Sequence, residues 1–307
     1  MVELRDVRKY FGEVRAVDGL SFATTEGEVF GLLGPNGAGK STTIKMIMNI
    51  LAPDSGSIMF NGRHIGEKDK DRIGYLPEER GLYKKVKIND VLLYFAGLKN
   101  SPAHAAQKRI DEWLERFDLA DWKMRKVEDL SKGMAQKAQF VAAVAHDPEF
   151  LFLDEPFTGL DPVSTDVLRE AVLELGKRGK TILFSTHNMD VAEKICSRIL
   201  IMDHGKEVIS GTMAEVKGRF GKNSIVVEFD GNLDLPSLSR LAANVSRYPR
   251  WVEIEPAEGA NPQDILKAVA AQVAVRRFEI VTPSLHSIFV GKLGGRKERD
   301  SEARNVQ

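Results

Sequence analysis

The sequence is poor in the features that mark secreted and nucleic-acid-binding proteins. Its one cysteine, Cys196, leaves no internal disulfide and suits a reducing compartment. Aromatic residues make up 7% of the 307 residues, which leaves little material for stacking on bases. The 44 Lys and Arg residues together balance the 44 Asp and Glu residues, so no net charge attracts the chain to a polyanion. We therefore expect no nucleic-acid partner.

Long apolar runs are also missing. The apolar runs are short, such as Val29 to Leu33, around one glycine, and Phe150 to Leu153. A membrane-spanning helix needs about 20 apolar residues. The segment from Met1 to Asp6 is charged from its start and has no secretory apolar core. If the protein acts at a membrane, we expect it to act from outside the bilayer.

Strand-like and helical segments alternate over much of the chain. Glu28 to Leu33, Phe150 to Leu153 and Thr181 to Ser185 are short, mainly apolar runs of strand length, and Val163 to Lys177 has helical spacing. The stretch Val191 to Arg198, which contains Cys196, is also predicted to be helical. Apolar strands that alternate with helices are typical of a parallel sheet covered on both faces. This pattern predicts an α/β domain over residues 1–218.

Three other regions have different patterns. Residues 88–145 give helical signals without strand signals, which predicts a helical insert within the α/β domain. Residues 219–293 mix strands such as Ser224 to Phe229 with short helices such as Ser284 to Lys292, which predicts a small α+β domain. Residues 294–307 are charged and begin with glycines, and we predict that they are disordered.

A glycine-rich segment after the first apolar strand matches the phosphate-binding P-loop pattern in full, and Ser41 to Ile50 after it has helical spacing. Small residues let backbone N–H groups approach a phosphate, and the helix N-terminus attracts the same anion. Lys40 supplies a cation for the β- and γ-phosphates, and Ser41 supplies a hydroxyl for Mg²⁺. The predicted nucleotide site consists of Gly34, Pro35, Asn36, Gly37, Ala38, Gly39, Lys40, Ser41 and Thr42.

Polar side chains also end two other apolar strands. Asp154 and Glu155 end one of them, at the sheet edge where parallel sheets bind ligands. We predict that Asp154 holds Mg²⁺ and that Glu155 orients the attacking water or accepts its proton. A capped turn is the structural alternative for this pair. His187 follows the third strand, where it is either a structural histidine or a hydrogen-bond donor to the γ-phosphate.

Further motifs carry a family resemblance. Leu130 to Met134 resembles the signature of ATP-binding cassette (ABC) proteins, usually LSGGQ, and precedes Glu155 at the spacing of that family. Gly159 to Asp161 resembles the D-loop of the family, and Gly74 to Glu78 resembles its Q-loop. His187 is similar to the switch histidine. The resemblance implies the P-loop NTPase fold of an ABC cassette.

The adenine-binding position has two candidates. Phe11, just before Gly12, is similar to the A-loop aromatic that stacks on adenine in the family, and the adjacent Tyr10 is the second choice. With these residues the resemblance covers about residues 2–215.

The resemblance implies ATP hydrolysis, with Mg²⁺, by a head-to-tail dimer that is either a homodimer or a heterodimer. The signature of one subunit would close over ATP held by the other, beside the D-loop residue Asp161. The segment from Pro283 to Phe289 is similar to the end of ATPases that pair with ABC-2-type permeases, among them sodium and drug exporters. This similarity implies a separate integral membrane permease as partner, export, and a cytoplasmic location at the inner face of the membrane. The signature residues expected to act in trans are Ser131, Lys132, Gly133 and Met134.

Three residues depart from the family pattern. Glu78 stands where the family usually has Gln, and as a carboxylate it is a candidate Mg²⁺ ligand. Lys132 replaces the second signature glycine and either contacts phosphate or faces solvent. Met134 replaces the signature glutamine, which weakens a hydrogen-bonding role at that position.

Two other functions compete with transport. A soluble ABC ATPase that acts on ribosomes or DNA is the first, but the chain has one P-loop, and no sustained heptads separate Lys40 from Ser131. A regulatory module that binds ATP without hydrolysing it is the second, and the joint presence of Glu155, Asp161 and His187 argues against it. For the transport function we expect a cleft lined by Glu78 to Tyr83, between the helical insert and the core, where the permease docks.

Overall fold

The chain, in a computed structural model, divides into two units, Met1–Met213 and Ala214–Gln307. The sequence placed this boundary five residues later, after residue 218. The tail predicted to be disordered, 294–307, lies outside the described residues. The described parts of the chain are residues 1–79, 81–220, 224–281 and 284–289.

The first unit alternates strands with helices, as the sequence pattern predicts. Its elements along the chain are β1 (Val2–Phe11), β2 (Val14–Ala23), β3 (Val29–Leu33), α1 (Lys40–Ile47), β4 (Ser55–Phe60), β5 (Ile73–Leu76), α2 (Ile88–Gly97), α3 (Ala103–Arg116), α4 (Lys132–Val144), β6 (Phe150–Asp154), α5 (Pro162–Lys177), β7 (Thr181–Thr186), α6 (Met189–Ile195), β8 (Arg198–Asp203) and β9 (Lys206–Thr212).

The core sheet has the strand order β5-β6-β7-β3-β8-β9. The pairs β5–β6, β6–β7, β7–β3 and β3–β8 are parallel, and β9 joins the edge antiparallel to β8. Every residue of β3, β6 and β7 is buried, because helices cover both faces of such a sheet. The predicted α/β fold with a parallel-rich sheet is therefore confirmed. The parallel register brings the carboxyl ends of β3, β6 and β7 to one edge.

A second sheet, β2-β1-β4, is antiparallel and packs on α1 through Leu4, Val7 and Phe60. The sequence analysis did not identify β1 and β2. Asp6 has a φ of 47°, and the pairing with both neighbours shifts in register around it. This irregularity moves the buried positions from Val2 and Leu4 to Val7, which hides the two-residue period of the strand.

Three helices, α2, α3 and α4, form the helical insert, and they pack around Trp113, Phe117 and Phe140. Helix α6 ends at Ile195, so the predicted helix through Arg198 is too long, and Cys196 is its C-terminal cap. Cys196 is buried, and burial raises the pKa of its thiol. Among the described residues, no helix is both long and apolar enough to cross a bilayer.

From the boundary onward, the elements are α7 (Met213–Phe220), β10 (Ser224–Asp230), β11 (Ala242–Arg247), β12 (Trp251–Pro256), α8 (Pro262–Ala270) and β13 (Ala274–Val281). The second unit has an antiparallel sheet in the order β11-β12-β10-β13, with α8 packed on one face through Ile265 and Val269. Residues 285–289 are helical. The predicted helix Ser284 to Lys292 extends beyond the described residues.

Candidate functional site

The P-loop joins β3 to α1 and needs glycine at two positions. Gly34 and Gly39 have φ values of 146° and 103°. A Cβ at Gly34 would lie 2.2 Å from the carbonyl oxygen of Met202, and a Cβ at Gly39 would lie 2.2 Å from that of Ala16. Because backbone cannot yield to such contacts, no other residue fits at either position. Neighbouring strands therefore hold the loop in its shape.

Lys40 is the first residue of α1, and its side chain turns back under the loop. Its Nζ donates to the carbonyl oxygens of Gly34, at 2.9 Å, and Pro35, at 3.1 Å. It also lies 3.4 Å from Oε1 of Glu155, and both side chains are only 5% exposed. The cation of the P-loop and the carboxylate that ends β6 are thus brought together, although they are far apart in the sequence.

Ser41 and Asp154 are also brought together. The Ser41 hydroxyl donates to Oδ1 of Asp154 at 3.0 Å, and the Ser185 hydroxyl donates to the same oxygen. A hydroxyl beside a carboxylate is a donor set that fits Mg²⁺, which takes few protein ligands when phosphates and waters supply the rest. In the described parts of the chain, no group of three or more His, Cys, Asp and Glu residues could hold a metal ion by itself.

Glu155 stands in a left-handed backbone conformation, with a φ of 49°. Its N–H donates to the carbonyl oxygen of Ser185 at 3.2 Å, which ties the turn to β7. Nδ1 of His187 contacts its carboxylate at 3.0 Å, and the hydroxyls of Thr158 and Thr186 donate to it at 3.3 and 3.4 Å. A non-glycine residue costs free energy in this conformation, so the surrounding bonds must hold the carboxylate in place.

Lys40, Ser41 and Glu155 line a cavity of about 720 Å³, a volume within the range of small-molecule sites. The cavity also has lining residues from β2, the β1–β2 turn and the β8–β9 turn that the sequence analysis missed. They lie outside the motifs and far from the P-loop in the sequence, so only the fold brings them to it. The lining residues are Glu13, Val14, Arg15, Ala16, Asn36, Gly37, Gly39, Lys40, Ser41, Thr42, Glu78, Glu155 and His204.

Glu78, the carboxylate at the Q-loop position, is among these lining residues. Burial, together with the nearby carboxylates of Asp154 and Glu78, raises the pKa of Tyr75 to about 12. The phenol of Tyr75 therefore stays neutral beside the two acidic side chains.

Neither adenine-stacking candidate is among the cavity-lining residues. Phe11 is 50% exposed at the end of β1, two residues before Glu13, and Nζ of Lys9 lies 5.7 Å from its ring centroid. The Tyr10 hydroxyl donates to Oδ1 of Asp18 at 3.4 Å. The side chain of Phe11 is thus more open to solvent than that of Tyr10, which is 37% exposed.

The signature segment begins α4. Ser131 caps the helix, and its hydroxyl accepts a hydrogen bond from the N–H of Met134 at 3.3 Å. Ser131 and Lys132 are exposed, and Gly133 and Met134 are half-buried. A Cβ at Gly133 would lie 3.7 Å from Leu160, next to the D-loop. None of these four residues lines the 720 Å³ cavity of its own chain.

Asp161 is the N-cap of α5 and accepts a hydrogen bond from the N–H of Ser164 at 2.9 Å. Hydrogen bonds from Ser164 lower the pKa of its carboxyl. Pro162 follows as the first helical residue, a position that proline favours. The structure gives Asp161 a local role in starting α5 and leaves its side chain exposed.

A second cavity, of about 350 Å³, lies between β5, α2 and α4, and Met48 also lines it. Its lining is mainly apolar and includes Pro77, Leu82 and Phe95. The predicted docking segment, Glu78 to Tyr83, thus borders a cleft beside the helical insert. Arg80, within that segment, lies outside the described residues.

The family models match in two parts. The model of the ABC transporter family matches residues 17–158. The model described as the C-terminal domain of DrrA1-3-like ATP-binding proteins matches residues 211–293. The two matches follow the order of the two structural units.

Several relatives match along most of their length. The chain is 43% identical to an ABC transporter ATP-binding protein, YhaQ, of Bacillus subtilis (strain 168), over 96% of this chain and 99% of the relative. It is 33% identical to the linearmycin resistance ATP-binding protein LnrL of the same strain, over 98% and 100%. It is 35% identical to the Nod factor export ATP-binding protein I of Burkholderia lata, over 82% and 83%.

The fold has close counterparts among solved structures. An ATP-binding subunit of an ABC transporter superposes with a TM-score of 0.67 at 31% identity, over 72% of this chain and 93% of that one. CbiO1 of Clostridium perfringens superposes with a TM-score of 0.63 at 26% identity, over 71% and 90%. The assembled P-loop site and the relatives that match along their full length show that the chain belongs to the family of ABC transporter ATP-binding proteins, which are ATPases.

Proposed function

We propose that this protein hydrolyses MgATP as a dimer and thereby drives export of a substrate through a separate membrane permease. One observation carries the hydrolytic part. Lys40, Ser41 and Glu155 line one cavity. Lys40 lies 3.4 Å from Glu155, Ser41 lies 3.0 Å from Asp154, and His187 lies 3.0 Å from Glu155. This is the set of groups that phosphoryl transfer to water requires.

The residues divide the chemistry between them. The P-loop N–H groups and Lys40 bind the β- and γ-phosphates. Ser41 and Asp154 would hold Mg²⁺, and Glu78, which lines the same cavity as Ser41, would ligate it or hold one of its waters. The ion, when bound, neutralises charge on the phosphates.

Glu155 orients the attacking water and accepts its proton. Lys40, His187, Thr158 and Thr186 contact its carboxylate, so its rotation is restricted before substrate arrives. His187 positions Glu155 through Nδ1 and is half-exposed, so its ring is also accessible to a γ-phosphate oxygen. Phe11 stacks on the adenine in this proposal, with Tyr10 as the alternative.

The signature acts on the nucleotide of the other subunit. The exposed start of α4, with Ser131 and Lys132, is accessible to a second chain and presents a helix N-terminus to a phosphate. Gly133 and Met134 complete that turn, and Asp161 follows from the adjacent D-loop. ATP between the subunits would join them and hydrolysis would part them, which is the two-state element that a transport cycle needs.

The partner and the direction of transport rest on relatives and on the second cavity. LnrL is named for linearmycin resistance and the Burkholderia protein for Nod factor export, and the C-terminal match is to DrrA-like proteins. We propose that an ABC-2-type permease inserts a cytoplasmic helix at the apolar cleft beside Leu82 and Phe95. The protein would then work at the inner face of the membrane.

The test of hydrolysis is Glu155→Gln. The amide keeps the shape of the side chain and cannot accept the proton, so the rate of hydrolysis should fall about a hundredfold or more. Affinity for ATP should remain, and ATP should convert the variant from monomer to dimer in size-exclusion chromatography with light scattering. Glu115→Gln, an exposed substitution on α3, is the matched control and should behave like the native protein.

Two outcomes would contradict the proposal. Hydrolysis by Glu155→Gln at the native rate would show that Glu155 takes no part in the reaction. If the variant binds ATP but stays a monomer at saturating ATP, the proposed ATP-dependent dimer is wrong.

A further inference from the structure

The turn between β8 and β9 lies at the nucleotide cavity and belongs to no motif of the sequence. Its two residues are His204 and Gly205, and the His204 side chain is 95% exposed while it lines the cavity. Arg15, on β2, lines the same side of the cavity and is 69% exposed.

This turn is fixed to the P-loop. The N–H of Gly205 donates to the carbonyl oxygen of Ala38 at 3.1 Å, and the carbonyl oxygen of Gly205 accepts from the N–H of Asp18 at 2.8 Å. A Cβ at Gly205 would lie 2.7 Å from the carbonyl oxygen of Arg15. The turn therefore packs against both β2 and the phosphate loop, and a rigid backbone presents His204.

His204 has a φ of 46°, in the left-handed region. A non-glycine residue there is unfavourable by its backbone alone, so the neighbouring bonds of Gly205 hold it. The imidazole that this backbone presents has an N–H group that can donate a hydrogen bond.

Charges around Arg15 leave it able to bind an anion. Its Nη1 lies 3.4 Å from Asp18, but Lys206 also lies 3.4 Å from that carboxylate, and Arg8 lies 3.6 Å from it. Arg8 is also paired with Asp6, so Arg15 and Lys206 share the Asp18 carboxylate. The guanidinium of Arg15 contacts Asp18 through Nη1, and its other N–H groups can donate to a phosphate at the edge of the cavity.

The layout of the cavity assigns a part of the nucleotide to these two side chains. Lys40, Ser41 and Thr42 take up the end that receives the β- and γ-phosphates. In the proposed orientation, the α-phosphate and ribose extend towards the lining residues outside the P-loop that come from β2, the β1–β2 turn and the β8–β9 turn.

We infer that Arg15 and His204 form a second donor pair that contacts the α-phosphate and ribose of the bound nucleotide. The inference rests on the nucleotide orientation proposed above. It predicts a contribution to binding that ATP and ADP share, because both contain these groups. The contribution does not depend on the γ-phosphate, and it leaves the chemical step unchanged.

The experiment combines Arg15→Gln with His204→Gly. Glycine removes the imidazole and keeps the positive φ without strain, so the bonds of Gly205 to Ala38 and Asp18 should persist. We expect Kd for MgADP, measured by titration calorimetry, to rise about tenfold for the double variant. KM for ATP should rise by a similar factor while kcat stays within twofold. The melting temperature without nucleotide checks the fold.

Two controls accompany the double variant. His104→Gly carries the same type of substitution at an exposed position on α3 and reports any general effect of losing a histidine, while its melting temperature reports the cost of glycine in a helix. Lys40→Ala tests the orientation itself, because it removes the cation at the β- and γ-phosphates. Lys40→Ala should raise Kd for MgATP by a larger factor than Kd for MgADP.

The outcomes separate the inference from the proposed function. If Lys40→Ala weakens binding but the double variant binds MgADP with native affinity, the role of Arg15 and His204 is wrong and the P-loop site stands. A loss confined to ATP would also overturn the inference, because it would place the pair at the γ-phosphate. If Lys40→Ala binds both nucleotides normally, the proposed orientation itself falls.

Discussion

At the scale of single residues, the structure puts titratable groups in places that the sequence pattern does not reveal. His146 follows α4, and its Nε2 contacts the carbonyl oxygen of Ile73 at 3.2 Å. Burial, with a smaller effect from Lys99, lowers the pKa of its ring to about 4. The folded protein therefore keeps His146 neutral in mildly acidic solution.

The sign of the pH effect follows from that pKa. The unfolded chain binds a proton at His146 from about pH 6.5 downward, whereas the folded chain resists it until about pH 4. Acidification over this range therefore favours unfolding. Above pH 6.5 the ring is neutral in both states, so the stability of the folded protein is not reduced by His146. Protonation of His146 in the unfolded chain should lower the free energy of unfolding of the native protein by about 2 kcal/mol between pH 7 and pH 5.

Urea unfolding at the two pH values checks this prediction. His146→Gln can still donate to Ile73 but does not titrate, so its loss of stability between pH 7 and pH 5 should be smaller than that of the native protein by about 2 kcal/mol. His104→Gln, at an exposed site, should show the native dependence. Equal pH dependence in all three proteins would show that His146 is not the titrating group.

At the scale of elements, α2 places an aromatic surface beside the apolar cleft. The ring of Tyr83 lies 6.0 Å from that of Tyr94 and 6.1 Å from that of Phe95, measured between centroids. Tyr83 and Tyr94 are each about half exposed. Exposed aromatic side chains next to an apolar pocket are typical of the centre of a protein interface.

If this surface binds the permease, Tyr83→Ser with Tyr94→Ser should abolish its co-purification from detergent-solubilised membranes. Each tyrosine at the centre of an interface contributes about 2 kcal/mol or more. ATP binding should be unchanged, because neither residue lines the nucleotide cavity. Tyr248→Ser, at an exposed tyrosine of the second unit, is the matched control. Recovery of the permease with the double variant at the native yield would reject this docking site.

At the scale of the whole molecule, the nucleotide cavity belongs to one of the two units. All its lining residues lie within Met1–Met213. A ligand stabilises the part of a protein that binds it, by about 2.7 kcal/mol at a hundred times Kd. Each unit has its own apolar core, so we predict that MgADP stabilises the first unit against unfolding and leaves the second unchanged.

Tryptophan fluorescence can separate the two units. Trp113 and Trp122 lie in the first unit, and Trp251 lies in the second. Trp251→Phe should report a thermal midpoint that rises with MgADP. The double variant Trp113→Phe with Trp122→Phe should report a midpoint that does not move. Identical shifts in both proteins would mean that the two units unfold as one cooperative structure.

The sequence by itself determined the chemistry and the class of fold. The P-loop pattern, the apolar strands and the polar residues at their ends are local features, so β3, β6 and β7 could be located within one or two residues. Local patterns failed where a contact between distant segments decides the structure. The irregularity at Asp6 hides β1, and helix α6 ends at Ile195, three residues before its predicted end.

Only the tertiary structure decided which of these residues meet. The parallel register of the core sheet brings Glu155 to Lys40 and His187, which no spacing along the chain could show. The same packing adds Arg15 and His204 to the nucleotide cavity, because the β8–β9 turn bonds to the P-loop. Residue types set which reactions are available to a chain, whereas distances between them depend on long-range packing, and a catalytic site needs both.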